Sequence, residues 1–289
     1  PHEPFDTPEP WASLYDSEFE GERIIWPPYS TDTLKKGIIT ERQAHHIRQN
    51  YGAKLSMIDH WLGKVLDELD SGGFWDDTMV ILCTDHGHYL GEKDIFGKPR
   101  VMQYEPIGHT PLLIHHPDVA PNVISTLTTN VDLHATLVDL FDLKVDHVTH
   151  GRSLLPDLLG LEASGRDWAV GGIFGNWVQI QDGRYKYARG PTNDNYPLSM
   201  WSNRWSTMPV PYYPGLRLPN PDARAYIDYM PGSNVPVLRQ PFEPGDMLPF
   251  WSLGSSVDDH YLFDLQEDPH EEHNLIGSKL EHQMIRLLE

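Results

Sequence analysis

Asp85 and His86 stand side by side directly after a run of apolar and β-branched residues, Thr78 to Thr84. Such a run is the pattern of a strand buried on both faces. In open α/β sheets, sites form in the crevice beyond the carboxyl ends of the strands. A carboxylate and an imidazole, adjacent at that end, suit a divalent metal. Gly87 follows and lets the backbone turn close to whatever is bound. On spacing alone a second reading stands beside this one, a polar loop that merely ends a core strand. His2, between Pro1 and Glu3-Pro4, reads by itself as an ordinary loop histidine. His88, His109, His115 and His116 read as structural or surface residues.

The elements around these residues alternate between helical and extended patterns. Residues 1–16 are Pro-rich and extended, with aromatics able to pin them to a surface. Thr40-x-x-Gln43 has the form of a capping box. After it, Ile47, Tyr51, Leu55, Ile58, Leu62, Val65 and Leu69 recur at spacings of three and four and predict a long helix. Ser71-Gly72-Gly73 ends it. Pro111 to His115 reads as a second apolar strand. Asn130 or Asp132 starts a helix with a stripe of Leu133, Leu137, Leu140 and Phe141. Helix, strand, strand, helix, with site loops between them, predicts an α/β fold. Beyond residue 165 the short runs Trp168–Phe174, Trp177–Gln181, Tyr185–Arg189 and His260–Leu265 predict a small antiparallel sheet. Asp182-Gly183 signals a two-residue hairpin loop, Lys279 to Glu289 a closing helix, and residues 190–255 an ordered excursion of little periodicity.

Composition removes several classes of function. Lys and Arg total 22 and Asp and Glu 42, so the net charge is 22 − 42 = −20. That argues against nucleic acid and anionic membrane surfaces as partners. An anionic small substrate stays open, because a bound metal inverts the local field. No run is long and apolar enough to predict a membrane span. The single cysteine, Cys83, excludes an internal disulfide and reads as a small core residue.

Six segments, in order, resemble motifs of the sulfatase family of the alkaline phosphatase superfamily. Pro1-His2-Glu3-Pro4-Phe5 resembles its P-H-x-P-F segment. Asp76-Asp77-Thr78 with Val80 to Gly87 resembles its D-[ND]-T-strand-[ST]-D-[HN]-G block. Gly91-Glu92-Lys93, Gly97-Lys98 and Tyr104-Glu105 resemble the stretch that follows. Val131-Asp132-Leu133 onward is similar to its V-D-[LI]-x-P-T-L segment, with Ala135 where proline is usual, and Gly151-Arg152-Ser153-Leu154 to G-[RK]-S-L. Tyr261 to Leu265 with Asp268-Pro269, Glu271, Asn274 and Leu275 resembles the C-terminal signature.

The resemblance implies part of an alkaline-phosphatase-like α/β sandwich core over residues 1–164. It also implies a smaller C-terminal antiparallel sheet with a helix over 165–289. It implies Asp85 and His86 as metal ligands for one divalent ion, calcium in the first place and manganese or zinc beside it. It implies Lys98 on the sulfate oxygens and His2 near the ester oxygen. His109 stands where the family often has arginine. The activity implied is metal-dependent hydrolysis of a sulfate monoester, on a small molecule or a carbohydrate, through a formylglycine nucleophile. A phosphodiester or phosphonate monoester hydrolase of the same superfamily is the alternative. A non-catalytic binding module, in which residues 190–255 form a homo-oligomer contact or hold a sugar against Trp201, Trp205, Tyr212 and Tyr213, is the third reading.

The strand ending in two adjacent Asp ligands and the C/S-x-P-x-R sequence do not occur here. Asp76-Asp77 and Asp258-Asp259 each precede a predicted strand instead of following one. With a chain that opens at Pro1, the expectation is, in this order, that the nucleophile-bearing N-terminal half lies in a longer form of this chain, that it lies in a separate chain, or that the chain is a degenerate, non-catalytic relative.

Overall fold

Thr40 starts the longest element, helix α1 (Glu41–Gly72), and its side chain accepts from the Gln43 backbone amide while the Gln43 side chain accepts from the Thr40 amide. Gly73, left-handed at φ 66°, closes the helix by donating to the carbonyls of Leu69 and Asp70. The expected capping box and glycine stop are both present. The structure, a computed structural model, describes residues 1–15, 17–161, 165–173, 175–192, 196–202, 225–244 and 260–289. These form two compact units, Pro1–Pro121 and Asn122–Glu289.

In the first unit α1 is followed by β1 (Val80–Cys83), β2 (Tyr89–Leu90), β3 (Phe96–Gly97), α2 (Glu105–Gly108) and β4 (Leu112–His115). The first turns of α1 bury Ala44 and Ile47 against Phe5, Ile39 and Phe96, and this cluster is the unit's core. Two expectations fail here. Leu55, Ile58 and Val65, on the predicted apolar face, are exposed, whereas the buried apolar residues of α1 lie in its first half, at Ala44, Ile47 and Ala53. Among the described residues β1 pairs with β4 alone, antiparallel, in a two-stranded ribbon. With one neighbouring strand it is not enclosed on both faces, so Leu82 and Cys83 are exposed instead of buried.

The second unit holds α3 (Val131–Leu140), α4 (Leu155–Leu158), β5 (Ala169–Gly172), β6 (Val178–Gln181), β7 (Tyr185–Arg189), β8 (Leu198–Ser202), β9 (Tyr226–Tyr229), β10 (Pro236–Phe242), β11 (His260–Asp264) and α5 (Lys279–Leu288). Strands β11, β7, β6 and β5, in that order, make a four-stranded antiparallel sheet. Helix α5 buries Met284 against Ile180, Tyr187 and Leu262 of that sheet. The β6–β7 hairpin sits one residue later than predicted. Asp182 donates through its amide to the Tyr185 carbonyl, so Gly183 and Arg184 form the loop. Gly183, at φ 92°, takes the positive φ that the first loop position of such a turn demands.

The region expected to lack periodicity contains a second antiparallel sheet in the order β8-β10-β9. Its central strand carries Pro236 and Pro241, which disguised it. Pro236 pairs only with Tyr229 of β9 and Pro241 only with Ser199 of β8, so each proline sits where β10 has a single neighbour and no second ladder bond is lost. Phe174, Trp205, Tyr212, Tyr213 and Asp258-Asp259 lie outside the described residues. Among the described residues no helix is long and apolar enough to cross a membrane.

Several motif residues brace this unit. Asp132, fully buried, accepts from the Thr129 amide at 2.8 Å, the Arg152 amide at 2.9 Å and the Arg166 guanidinium at 2.5 Å. Of the predicted stripe of α3, Leu133 and Leu140 are half-buried and Leu137 and Phe141 exposed, while Asp132 and Thr136 are buried. Lys186 on β7 and Glu271 form an ion pair at 2.7 Å with side chains 1% exposed. Breaking one partner strands the other charge in a dry site. Glu271→Gln is expected to lower unfolding stability by about 3–5 kcal/mol in denaturant titrations, and Lys186→Met added to it to recover most of the loss.

Candidate active site

The segment Pro1-His2-Glu3-Pro4-Phe5 is held at Pro4 and Phe5. The Phe5 ring is buried, edge-on to Tyr51 at 5.4 Å and to His88 at 5.3 Å between ring centres. The Phe5 amide donates to the Ile25 carbonyl at 2.7 Å, and Lys54 donates to the Pro4 carbonyl at 2.7 Å. This carries Glu3 inside, where its carboxylate has no solvent exposure.

A hairpin brings the counter-charges to it. β2 and β3 pair with Tyr89 opposite Gly97 and Leu90 opposite Phe96. His88 immediately precedes the first pair and Lys98 immediately follows it, so the two residues flank the open end of one hairpin. Tyr89 anchors that end by donating to the Met102 carbonyl and accepting from the Tyr104 amide, each at 3.0 Å. Gly97, at φ 75°, passes under the Tyr29 ring, where a Cβ would collide. Lys98 Nζ lies 3.3 Å from Glu3 Oε2, His2 Nδ1 3.4 Å from the same oxygen, and His88 Nε2 3.4 Å from Oε1. These are charge contacts, longer than tight charge-assisted hydrogen bonds.

The structure therefore brings the two expected residues His2 and Lys98 together on one carboxylate. His2 Nδ1 also contacts the Glu3 carbonyl at 2.5 Å, which leaves Nε2 as the outward nitrogen of a mostly exposed ring. Lys98 is mostly buried, with its ammonium 5.9 Å from the Tyr29 ring centre.

Asp85 and His86 occupy the loop just past β1, as expected. Asp85 Oδ1 accepts from the His86 amide at 2.9 Å. Burial works against ionising Asp85, and is outweighed by that amide and by the His86 ring, so its pKa lies below the ordinary value. His86 Nδ1 meets the Gly87 carbonyl at 2.9 Å, which places the proton on Nδ1 and leaves Nε2 as a donor for a metal. Nε2 lies 3.6 Å from Asp85 Oδ2. Two atoms bound to one ion sit about 3.4 Å apart, given metal–ligand bonds of about 2.1–2.4 Å. The pair thus fits two positions on a divalent ion. Among the described residues no group of three or more His, Cys, Asp or Glu could hold a metal.

Gly87 serves a different purpose from the one expected. Its amide donates to the Ile107 carbonyl at 2.9 Å, and a Cβ there would strike the Pro106 carbonyl oxygen. What approaches it is the chain's own α2. Of the remaining histidines, His115 Nε2 donates to the Trp75 carbonyl at 3.1 Å and His109 pairs with Glu105 at 2.9 Å, both structural contacts. Sequence reasoning passed over Glu3 and His88. The only signal was an acid locked between two prolines, next to a histidine. An open cleft lined by Phe19, Arg23, Trp26, Arg42 and Gln43 includes none of the four expected site residues.

The family profile "Sulfatase" matches residues 1–143. Residues 1–143 belong to the sulfatase family. The chain is 32% identical to the choline-sulfatase of Rhizobium meliloti over 52% of its own length and 30% of that protein's. It is 30% identical to the N-acetylglucosamine-6-O-sulfatase of Bacteroides thetaiotaomicron over 57% of its length and 28% of that protein's. It thus spans about a third of these curated relatives. Among solved structures it shares the fold of the phosphonate monoester hydrolase of Agrobacterium radiobacter, at a TM-score of 0.60 and 20% identity, over 99% of this chain and 52% of that one. The fold is the alkaline-phosphatase-like α/β type. Every sulfatase motif seen in residues 1–105 lies within the matched segment.

Burial alone would raise the pKa of Glu3. The nearby His88, the Glu3 backbone amide and the Lys98 charge outweigh it and hold the value at about 2, against an ordinary 4.5. A folded-state pKa below the unfolded one contributes stability above about pH 4.5 that is lost as pH falls towards 2. Glu3→Gln is accordingly expected to flatten the acid side of the stability–pH curve in that window, measured by denaturant unfolding at a series of pH values.

Proposed function

We propose that this chain is part of a hydrolase of sulfate monoesters, carried by one observation: His2 and Lys98 converge on the buried Glu3 carboxylate, at 3.4 and 3.3 Å. Hydrolysis of a sulfate ester needs positive charge on the peripheral oxygens and a proton donor for the departing alcohol. The Lys98 ammonium supplies fixed positive charge for the oxygens. His2 Nε2, facing outward while Nδ1 is held at Glu3, delivers the proton to the leaving oxygen. Asp85 and His86 would hold a divalent ion, calcium in the first place, with manganese or zinc as alternatives for the Asp–His donor pair. That ion supplies further positive charge for the sulfate when bound.

The nucleophile, a formylglycine, and the remaining metal ligands are proposed to come from sequence outside these 289 residues. Family membership of residues 1–143 and the short span relative to the curated relatives support that reading. The relatives include a choline-sulfatase and an N-acetylglucosamine-6-O-sulfatase, and these names support a small-molecule or carbohydrate sulfate ester as the substrate class. The fold shared with a phosphonate monoester hydrolase makes phosphodiester or phosphonate hydrolysis the competing chemistry.

The full-length gene product is expected to release p-nitrophenol from p-nitrophenyl sulfate faster than from bis-p-nitrophenyl phosphate at equal concentration. His2→Ala is expected to lower kcat about 10²–10⁴-fold, and chelation of divalent ions to abolish turnover reversibly. Preferential turnover of the phosphodiester would move the assignment to the competing chemistry. Absence of turnover on both would leave a binding role.

A further inference from the structure

We propose that Glu3 is a positioning residue: its buried carboxylate fixes the Lys98 ammonium and the His2 ring relative to each other, with His88 closing its second oxygen. The inference rests on the sulfate-ester reading above. The geometry is specific. One oxygen, Oε2, takes both functional nitrogens, Lys98 Nζ at 3.3 Å and His2 Nδ1 at 3.4 Å, and Oε1 takes His88 Nε2 at 3.4 Å. The carboxylate is completely enclosed, with these three side-chain nitrogens at 3.3–3.4 Å around it. Burying a carboxylate costs several kcal/mol unless neighbouring charges and donors compensate it. A protein that needed only to fill this space would do so with an apolar side chain.

The surroundings explain how the position is kept. Phe5 and Pro4 lock the backbone on one side, through the Ile25 carbonyl and Lys54. The β2–β3 hairpin fixes His88 and Lys98 on the other. His88 Nδ1 is taken up by the Tyr89 carbonyl at 2.9 Å, so its ring is aimed at Glu3 by the backbone and does not reach outward. Glu3 is therefore the single point at which the Pro-flanked segment and the hairpin meet through charge. A lysine chain on its own samples many rotamers. Anchored by one oxygen of a rigid carboxylate, it presents its remaining N–H groups in one direction. Misplacement of such a group by about 1 Å costs of order 10²-fold in rate.

The test uses the full-length gene product and two variants, Glu3→Gln, which keeps the shape and removes the charge, and Glu3→Asp, which keeps the charge and shortens the reach. Two readouts are taken per folded molecule: kcat and KM on p-nitrophenyl sulfate, and the rate at which Lys98 is acylated by an amine reagent at fixed pH, read by peptide mass spectrometry. We expect Glu3→Gln to lower kcat about 10²-fold with KM nearly unchanged, and Lys98 to label several-fold faster. Glu3→Asp should recover part of both. A merely structural role would reduce the folded yield and leave both readouts at wild-type values per folded molecule; that result overturns the proposal. If Glu3→Gln does not fold, Glu3→Asp decides: wild-type kcat with wild-type Lys98 labelling overturns it equally. If the wild-type protein hydrolyses no sulfate ester, the sulfatase reading fails on its own, and the labelling rates still decide whether Glu3 holds Lys98.

Discussion

The first unit is built around a buried carboxylate that has to be compensated. The Glu3 carboxylate is met by the Lys98 ammonium and by two imidazole nitrogens. His2 comes from the residue before it, and His88 and Lys98 from the two ends of a short hairpin. That requirement orders the local structure. The aromatic Phe5 seals the segment into the core with Ile39, Ala44, Ile47 and Phe96. Phe96 is itself the strand residue two before Lys98. Apolar packing and charge compensation therefore act on the same few residues, and a change in either displaces His2 and Lys98.

The C-terminal unit follows the same logic with a different outcome. Its motif residues are braces. Asp132 ties the start of α3 to Arg152 and Arg166, Glu271 neutralises Lys186 beneath β7, and Arg184 grips Asp264 with a fork of contacts at 2.7–3.1 Å. Asn274 accepts from the Leu262 amide at 3.0 Å and donates to the His260 carbonyl at 3.1 Å, clamping the loop to β11. A family signature of this kind reports a fold that must be held together, and the chemistry is assigned from the site residues alone.

Much of this was legible in the sequence where local chemistry dictates local structure. The Thr40 cap, the Gly73 stop, the β6–β7 hairpin and helix α5 each follow from residues close together in the chain. The Asp85-His86 pair was legible because a strand end and two donor types coincide. Glu3 and His88 were not, since 85 residues separate them and burial of an acid depends on contacts that no local pattern records. The burial of β1 was overstated for the converse reason. An apolar run shows that a strand can be enclosed, whereas enclosure depends on neighbouring strands, and among the described residues β1 has only β4. Strand β10 was hidden by prolines whose tolerance depends on where each neighbouring strand ends.

The central claim is that Lys98, His2, Asp85 and His86 face one sulfate group. The most direct measurement is a crystal structure of the full-length gene product grown with a divalent ion and inorganic sulfate, the reaction product. The account predicts an ion bound by Asp85 and His86 and a sulfate whose oxygens lie within hydrogen-bond reach of Lys98 Nζ, with His2 Nε2 beside it. A sulfate bound elsewhere, or an Asp85–His86 pair turned away from Lys98 with no ion between them, would contradict it.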